Sequence, residues 1–386
     1  MSRTILLPGP DGTLSTHRVG EPGDYPRRAD PPRTRTVYAA AHVVADPRVC
    51  SASEPAVLDL EATLAFRHHL WDLGMAVAEA MDTAQRGMGL DWPAARDLIA
   101  RTGAEAKGRG ARWCAGAQTD HLAPGSARTL NEVIGAYREQ CEAVEQAGAT
   151  VVVMASRELC RLAKGPEDYA AVYSAVLQQL SRPAILHWLG EAFDPALAGY
   201  WGSGSYEVAA EAFLGIVAEH AARIEGVKCS LLEQRKEVEL RSRLPIGVAM
   251  YTGDDFDYPT TIAGDGTHHS DALLGAFDFA APAAAHACAA LDAGDLAGFH
   301  ERIAPSLPLA RHVFSAPTSF YKTGVVFLAY LNGFQAHFKM VGGLESGRSL
   351  VHLAECFRLA DAAGLLSDPD LAIARMRGLL ATSGLA

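Results

Sequence analysis

The stretch that most constrains the chain runs from Arg223 to Asp255. It begins Arg223-Ile224-Glu225-Gly226-Val227-Lys228-Cys229-Ser230, continues through a charged run from Leu231 to Leu244, and ends Pro245-Ile246-Gly247-Val248-Ala249-Met250-Tyr251-Thr252-Gly253-Asp254-Asp255. The order reads as strand, helix, strand. Two short apolar strands flanking one charged helix make a parallel βαβ unit, and each strand ends in polar residues, where such folds keep their chemistry. Side chains alternate along a strand, so Val227 and Cys229 share one face while Gly226, Lys228 and Ser230 share the other. In a closed parallel barrel the apolar set faces the surrounding helices and the small, polar set points inward near the mouth. Lys228 is then a buried amine. Desolvation lowers its pKa and frees the neutral form to attack a carbonyl carbon, the opening step of Schiff-base chemistry. The competing role for any lysine is a solvated surface charge.

A chain of 386 residues has room for two ordinary domains, or for one barrel of roughly 250 residues with additions. With 49% apolar and 20% charged residues it resembles an average globular protein, so most of its length is expected to pack into a core. The formal net charge of -11, with no compensating basic stripe, argues against nucleic acid as a partner. The 7 cysteines are dispersed and never form a Cys-x-x-Cys pair, which suits reduced, structural thiols. The apolar run Ile5 to Leu7 is stopped by Pro8, and no stretch approaches the roughly 20 apolar residues of a membrane helix. A cytoplasmic protein without a membrane partner is the expectation.

From Thr36 onward short apolar runs alternate with amphipathic segments, the rhythm of an α/β fold. Strands are expected at Val37 to Ala45, Met75 to Met81, Trp113 to Gln118, Thr150 to Ala155, Ala184 to Leu189, Gly226 to Ser230, Ile246 to Tyr251 and Ala272 to Phe279. Eight is the barrel number. Helices fit between them, from Leu58 to Leu73, Trp92 to Lys107, Leu130 to Ala147, Pro166 to Leu180, Tyr206 to Arg223 and Leu231 to Leu244. Beyond Phe279 only helices are expected, including one from Phe320 to Met340. The organisation expected is an N-terminal arm (1–35) with a hairpin turning across Gly9 to Gly12, a (β/α)8 TIM barrel (36–280), and a C-terminal helical extension (281–386).

Gly226-Val227-Lys228, the helix after it, and Tyr251-Thr252-Gly253-Asp254-Asp255 resemble the Schiff-base strand and the Ser-Gly-Asp-Asp turn of the dihydrodipicolinate synthase and N-acetylneuraminate lyase superfamily. Ala147-Gly148-Ala149-Thr150 is similar to that family's run into its fourth strand, and Arg182-Pro183-Ala184-Ile185-Leu186-His187-Trp188 to its fifth. The resemblance spans roughly Thr36 to Phe338 and marks the chain as a divergent member. It implies a class I aldolase-like lyase in which Lys228 forms an imine with a small keto acid or sugar-derived carbonyl compound. The imine then acts as an electron sink for making or breaking a carbon–carbon bond, with no cofactor, usually in a homo-oligomer.

The departures shape the expected site. His187 stands where the family has its catalytic tyrosine, and a histidine there still moves protons. The family's Gly-Thr-Thr-Gly-Glu loop is replaced by Asp82-Thr83-Ala84-Gln85-Arg86-Gly87, so Asp82 opposes an incoming carboxylate, which favours a polyol or sugar-derived substrate, and Arg86 is expected to read a more distant anion. Thr83, Gln118, Asp120, Tyr251 and Asp254 complete the expected substrate contacts at strand ends. A second reading is a divalent-metal barrel lyase or hydrolase using His187 with His268 or His269. A third is a non-catalytic binding module on the same fold.

Overall fold

The computed structural model describes residues 3–385; Met1, Ser2 and Ala386, at the outer limits of the expected arm and extension, lie outside it. Strands β1 (Thr4–Pro8) and β2 (Leu14–Arg18) form the antiparallel hairpin. They are followed by β3 (Val37–Ala40), β4 (Ala76–Glu79), β5 (Trp113–Ala117), β6 (Thr150–Val153), β7 (Ala184–Leu189), β8 (Ile224–Ser230), β9 (Ala249–Thr252) and β10 (Asp271–Leu274). These eight close into a parallel barrel in chain order, with β10 paired to both β9 and β3. The fold is a (β/α)8 TIM barrel with C-terminal helices.

Helices α1 (Leu60–Asp72), α2 (Trp92–Arg109), α3 (Leu130–Ala147), α4 (Arg157–Leu162), α5 (Pro166–Gln179), α6 (Tyr206–Glu219), α7 (Gln234–Ser242) and α8 (Tyr258–Ala263) lie in the crossovers. Their ends follow local chemistry. Asp59, Asp91 and Thr129 accept hydrogen bonds from the free amides of the first turns of α1, α2 and α3, and α2 and α3 stop at Gly110 and Gly148 in left-handed conformation.

Alternation along the strands divides the core in two. Val77, Val153, Leu186, Val227 and Cys229 pack outward among the helices. Tyr38, Ala78, Cys114, Val152, Ile185 and Tyr251 fill the barrel interior. Because Val227 and Leu186 point outward, their neighbours Lys228 and His187 point in. Gly226 makes room for the Tyr251 ring, since a Cβ there would come within 2.5 Å of that ring and 2.8 Å of the Ala249 carbonyl.

The C-terminal helices are α9 (Ala281–Asp292), α10 (Leu296–Ile303), α11 (Leu307–Val313), α12 (Tyr321–Leu331), α13 (Leu350–Ala362) and α14 (Pro369–Thr382). The hairpin is clamped to the last two of these. His17 meets Asp361 at 2.8 Å, and Arg358 and Arg377 donate to carbonyls of β1. The helix expected to reach Met340 ends instead at Leu331, because Gly333 turns the chain at a φ of 87° and Phe338 folds back onto Phe327. The strand expected from Ile246 begins at Ala249: Gly247 takes a φ of 91° and leaves Ile246 exposed.

Candidate active site

Strand register builds the centre of the site. Lys228 and His187 are paired across β8 and β7, and in-register neighbours in a parallel sheet point the same way. Lys228 is 7% exposed. Burial pulls its pKa below the ordinary value, against the attraction of the Asp82 and Asp255 carboxylates. The His187 imidazole shares a 3.1 Å hydrogen bond between Nε2 and the Ser230 hydroxyl, while its Nδ1 lies 4.0 Å from Asp82 Oδ2. Neither Nδ1 nor Oδ2 has a hydrogen-bond partner among the described residues, and both are buried. Burial, helped by the Lys228 charge, pushes His187 well below its usual range, so its imidazole is neutral at physiological pH.

Two loops supply the carboxylates. Asp82 opens a single 3-10 turn, Asp82–Ala84, directly after β4. Asp255 follows β9, where Oδ1 accepts the Ala276 amide at 2.8 Å. Burial raises the Asp255 carboxyl to about 7. Gly253 lets this loop pass over the lysine, since a Cβ there would sit 3.0 Å from Lys228 Cε and 2.7 Å from the Cys229 carbonyl.

The C-terminal helices cover the mouth. The Tyr321 hydroxyl at the start of α12 is 2.9 Å from the Thr83 hydroxyl, with Phe314 stacked on the tyrosine ring at 4.3 Å. The next residue, Lys322, is 2% exposed and donates to the Ser319 carbonyl at 3.1 Å. Burial lowers this second amine to about 8, opposed chiefly by Asp82. Asp82 therefore stands between two buried amines.

The remaining expected contacts are arranged differently. Arg86 turns away from the mouth. Nε and Nη2 clasp Asp120 at 2.7 and 2.6 Å, Nη2 also donates to Gln140, and Nη1 donates to the carbonyls of Ala80 and Gly116. All five guanidinium donors are engaged, which leaves Arg86 none to read a substrate anion, and Asp120 is taken up by Arg86 and Gln140. Tyr251 points to the opposite end of the barrel, where its hydroxyl bonds Glu225 at 2.9 Å beside Tyr38 and Arg112. Asp254 accepts the Phe256 amide at 2.9 Å and shapes the loop; its neighbour Asp255 is the carboxylate that faces Lys228. Gln118 ends up half-buried after β5, and among the described residues no side-chain hydrogen bond ties it to the cluster.

His268 and His269 are exposed and precede β10, at the end of the barrel away from the mouth. They cannot share a coordination sphere with His187. Asp255 belongs to the Tyr251-Thr252-Gly253-Asp254-Asp255 turn motif, and Ser230 to the inward face of β8. Tyr321 and Lys322 carried no local signal, since they lie in a helix whose pattern reads as packing.

Fold and site together define a (β/α)8 barrel with a desolvated lysine on its sixth strand, among titratable groups at the C-terminal mouth. The chain belongs to the family described as protein of unknown function (DUF993), which matches residues 5–385. A comparison with curated proteins finds no match. Among solved structures it is similar to YagE, a prophage protein of the dihydrodipicolinic acid synthase family from E. coli K12 in complex with pyruvate. The identity is 15% with a TM-score of 0.63, covering 91% of this chain and 99% of that one. The dihydrodipicolinate synthase of Thermotoga maritima gives 14%, 0.61, 91% and 99%. That of Aquifex aeolicus gives 14%, 0.60, 91% and 98%. At these identities the likeness is one of fold. Among the described residues no helix is long and apolar enough to cross a membrane.

Proposed function

We propose that the protein is a class I aldolase-like lyase that makes or breaks a carbon–carbon bond through a Lys228 imine. The observation that carries this is a buried amine with no ion pair among the described residues, on the sixth barrel strand, beside a neutral imidazole and a carboxyl titrating near neutrality. Such a grouping suits carbonyl chemistry. The Lys228 amine attacks the substrate carbonyl carbon, the carbonyl oxygen leaves as water, and the iminium accepts the electron pair of the bond that breaks. Asp255, half-protonated near pH 7, and neutral His187 give and take the protons of dehydration and enamine formation. In this reading Thr83, paired with Tyr321, bonds a substrate oxygen.

The fold shared with dihydrodipicolinate synthases supports the same reading. We assign the substrate to small keto acids or sugar-derived carbonyl compounds. Lys322 offsets the repulsion that Asp82 would exert on an anion, which keeps keto acids within that class. The arm (1–35) and the helices of 281–386 are proposed to hold α12 over the mouth of the barrel (36–280), in a cytoplasmic homo-oligomer.

Incubation with 2-oxo acids and keto sugars plus borohydride, followed by intact-mass measurement and adduct mapping, tests the proposal. A reduced adduct on Lys228, absent in Lys228→Ala with its circular dichroism unchanged, is the expected result. Absence of any adduct, or trapping that survives Lys228→Ala, would refute it.

A further inference from the structure

Outside the barrel mouth, one group of side chains has the composition of a metal site. His352 and Cys356 lie one turn apart on the same face of α13, and His312 reaches them from α11. One ring nitrogen of each histidine and the Cys356 sulfur all fall within 4.8 Å of one another. We propose that His312, His352 and Cys356 bind Zn2+ or an ion of similar softness, with solvent as fourth ligand, and so pin α11 to α13.

The donor set selects the ion. Two imidazoles and a thiolate suit zinc and exclude the hard cations, which require several oxygen ligands. Three protein ligands with an open fourth position is an ordinary zinc arrangement. The histidines are half-buried, which leaves the fourth position a route to solvent, while Cys356 is buried.

Hydrogen bonding around the cluster is incomplete in a way that favours a ligand. His352 Nε2 is buried and has no hydrogen-bond partner among the described residues, which leaves it able to take an ion. His312 bonds the His352 carbonyl through Nε2 at 3.0 Å. The two rings stack at 4.1 Å, so closing on an ion requires the rings to turn until one nitrogen of each faces the thiol.

Ligation exchanges the Cys356 proton for the metal and releases one proton to solvent with no change of oxidation state. Because that proton competes with the ion for the sulfur, affinity rises with pH. Arg348 opposes the added charge. It is anchored by the carbonyls of Ser315, Ala316 and Pro317 just after α11. His312 lies two residues before Phe314, the ring stacked on Tyr321, so a metal there fastens the cover of the Lys228 mouth.

The test uses the full chain, stripped with chelator and titrated with Zn2+ and with Co2+. Wild type is expected to take up one ion per chain, to show the thiolate-to-cobalt charge-transfer band with tetrahedral d–d intensity, and to melt at a higher temperature with Zn2+. Cys356→Ser should abolish the charge-transfer band and weaken Zn2+ binding by more than about 100-fold, since even groups behind the ligands are worth 10–100-fold. His312→Gln, at a half-exposed position, provides the same test if the serine variant fails to fold. Failure of wild type to bind either ion stoichiometrically, or a band and affinity unchanged in both variants, would overturn the proposal. Neither readout depends on the activity proposed for Lys228.

Discussion

Asp255→Asn isolates the electrostatic strain of the site. The Asp255 carboxyl titrates near about 7 in the folded chain because burial disfavours its charge, whereas an unfolded aspartate titrates near about 3.9. Between those pH values the folded chain holds a proton that the unfolded chain has released, so this group makes stability fall as pH rises, with no further change above about 7. The full difference amounts to ~4 kcal/mol, an order-of-magnitude figure for a fully buried carboxyl that also feels Lys228. Asparagine can still accept the Ala276 amide through Oδ1 but carries no charge, so the variant lacks the penalty. Urea unfolding of both proteins at about pH 4.5 and about pH 8 reads the effect. The stability of Asp255→Asn relative to wild type should improve by ~2–4 kcal/mol between the two conditions, while imine trapping slows. A stability difference equal at the two pH values would show that the carboxyl is not raised, and would remove it as a proton donor at neutrality.

Gly253→Ala drives a methyl against the Cys229 carbonyl and the Lys228 side chain; ~1–3 kcal/mol of stability should be lost in chemical denaturation, with slower trapping, and an unaffected protein would contradict the close approach. Arg67→Met leaves Glu79 buried without the partner that clasps it at 2.7 and 2.8 Å, and should destabilise by ~3–5 kcal/mol in the same assay. Lys322 titrates near about 8 when folded and about 10.4 when unfolded, so between these values the unfolded chain binds more protons and wild-type stability rises with pH. Lys322→Met should lose that rise, and a parallel pH profile in the variant would place the amine in water. Tyr321→Phe should leave the fold intact and slow borohydride trapping if its bond to Thr83 orients the substrate oxygen; unchanged trapping would assign the tyrosine to packing alone.

Local pattern carried the scaffold. Eight strands were legible because each is a short apolar run between amphipathic helices, and alternation within Gly226 to Ser230 placed Lys228 on the inward face before any register was known. Strand ends were overextended at Val37 to Ala45 and at Ile246, where turns at glycine and loops into the mouth interrupt runs that still look apolar. Polar residues near the mouth were harder to assign. Arg86 and Asp120 read as substrate contacts because a strand-end charge has no visible partner in one dimension; in three dimensions they find each other and Gln140 on α3.

The same limit decided the rest of the site. Sequence alone determined a parallel barrel with a lysine inside its sixth strand, since period and order are local properties of the chain. Only the tertiary structure chose Asp255 over Asp254, turned the Tyr251 hydroxyl to the far end of the barrel, and brought Tyr321 and Lys322 from the C-terminal helices to the mouth. Those outcomes depend on which groups close packing leaves facing one another across a long loop of chain. That is set by the whole core, and no window of residues records it.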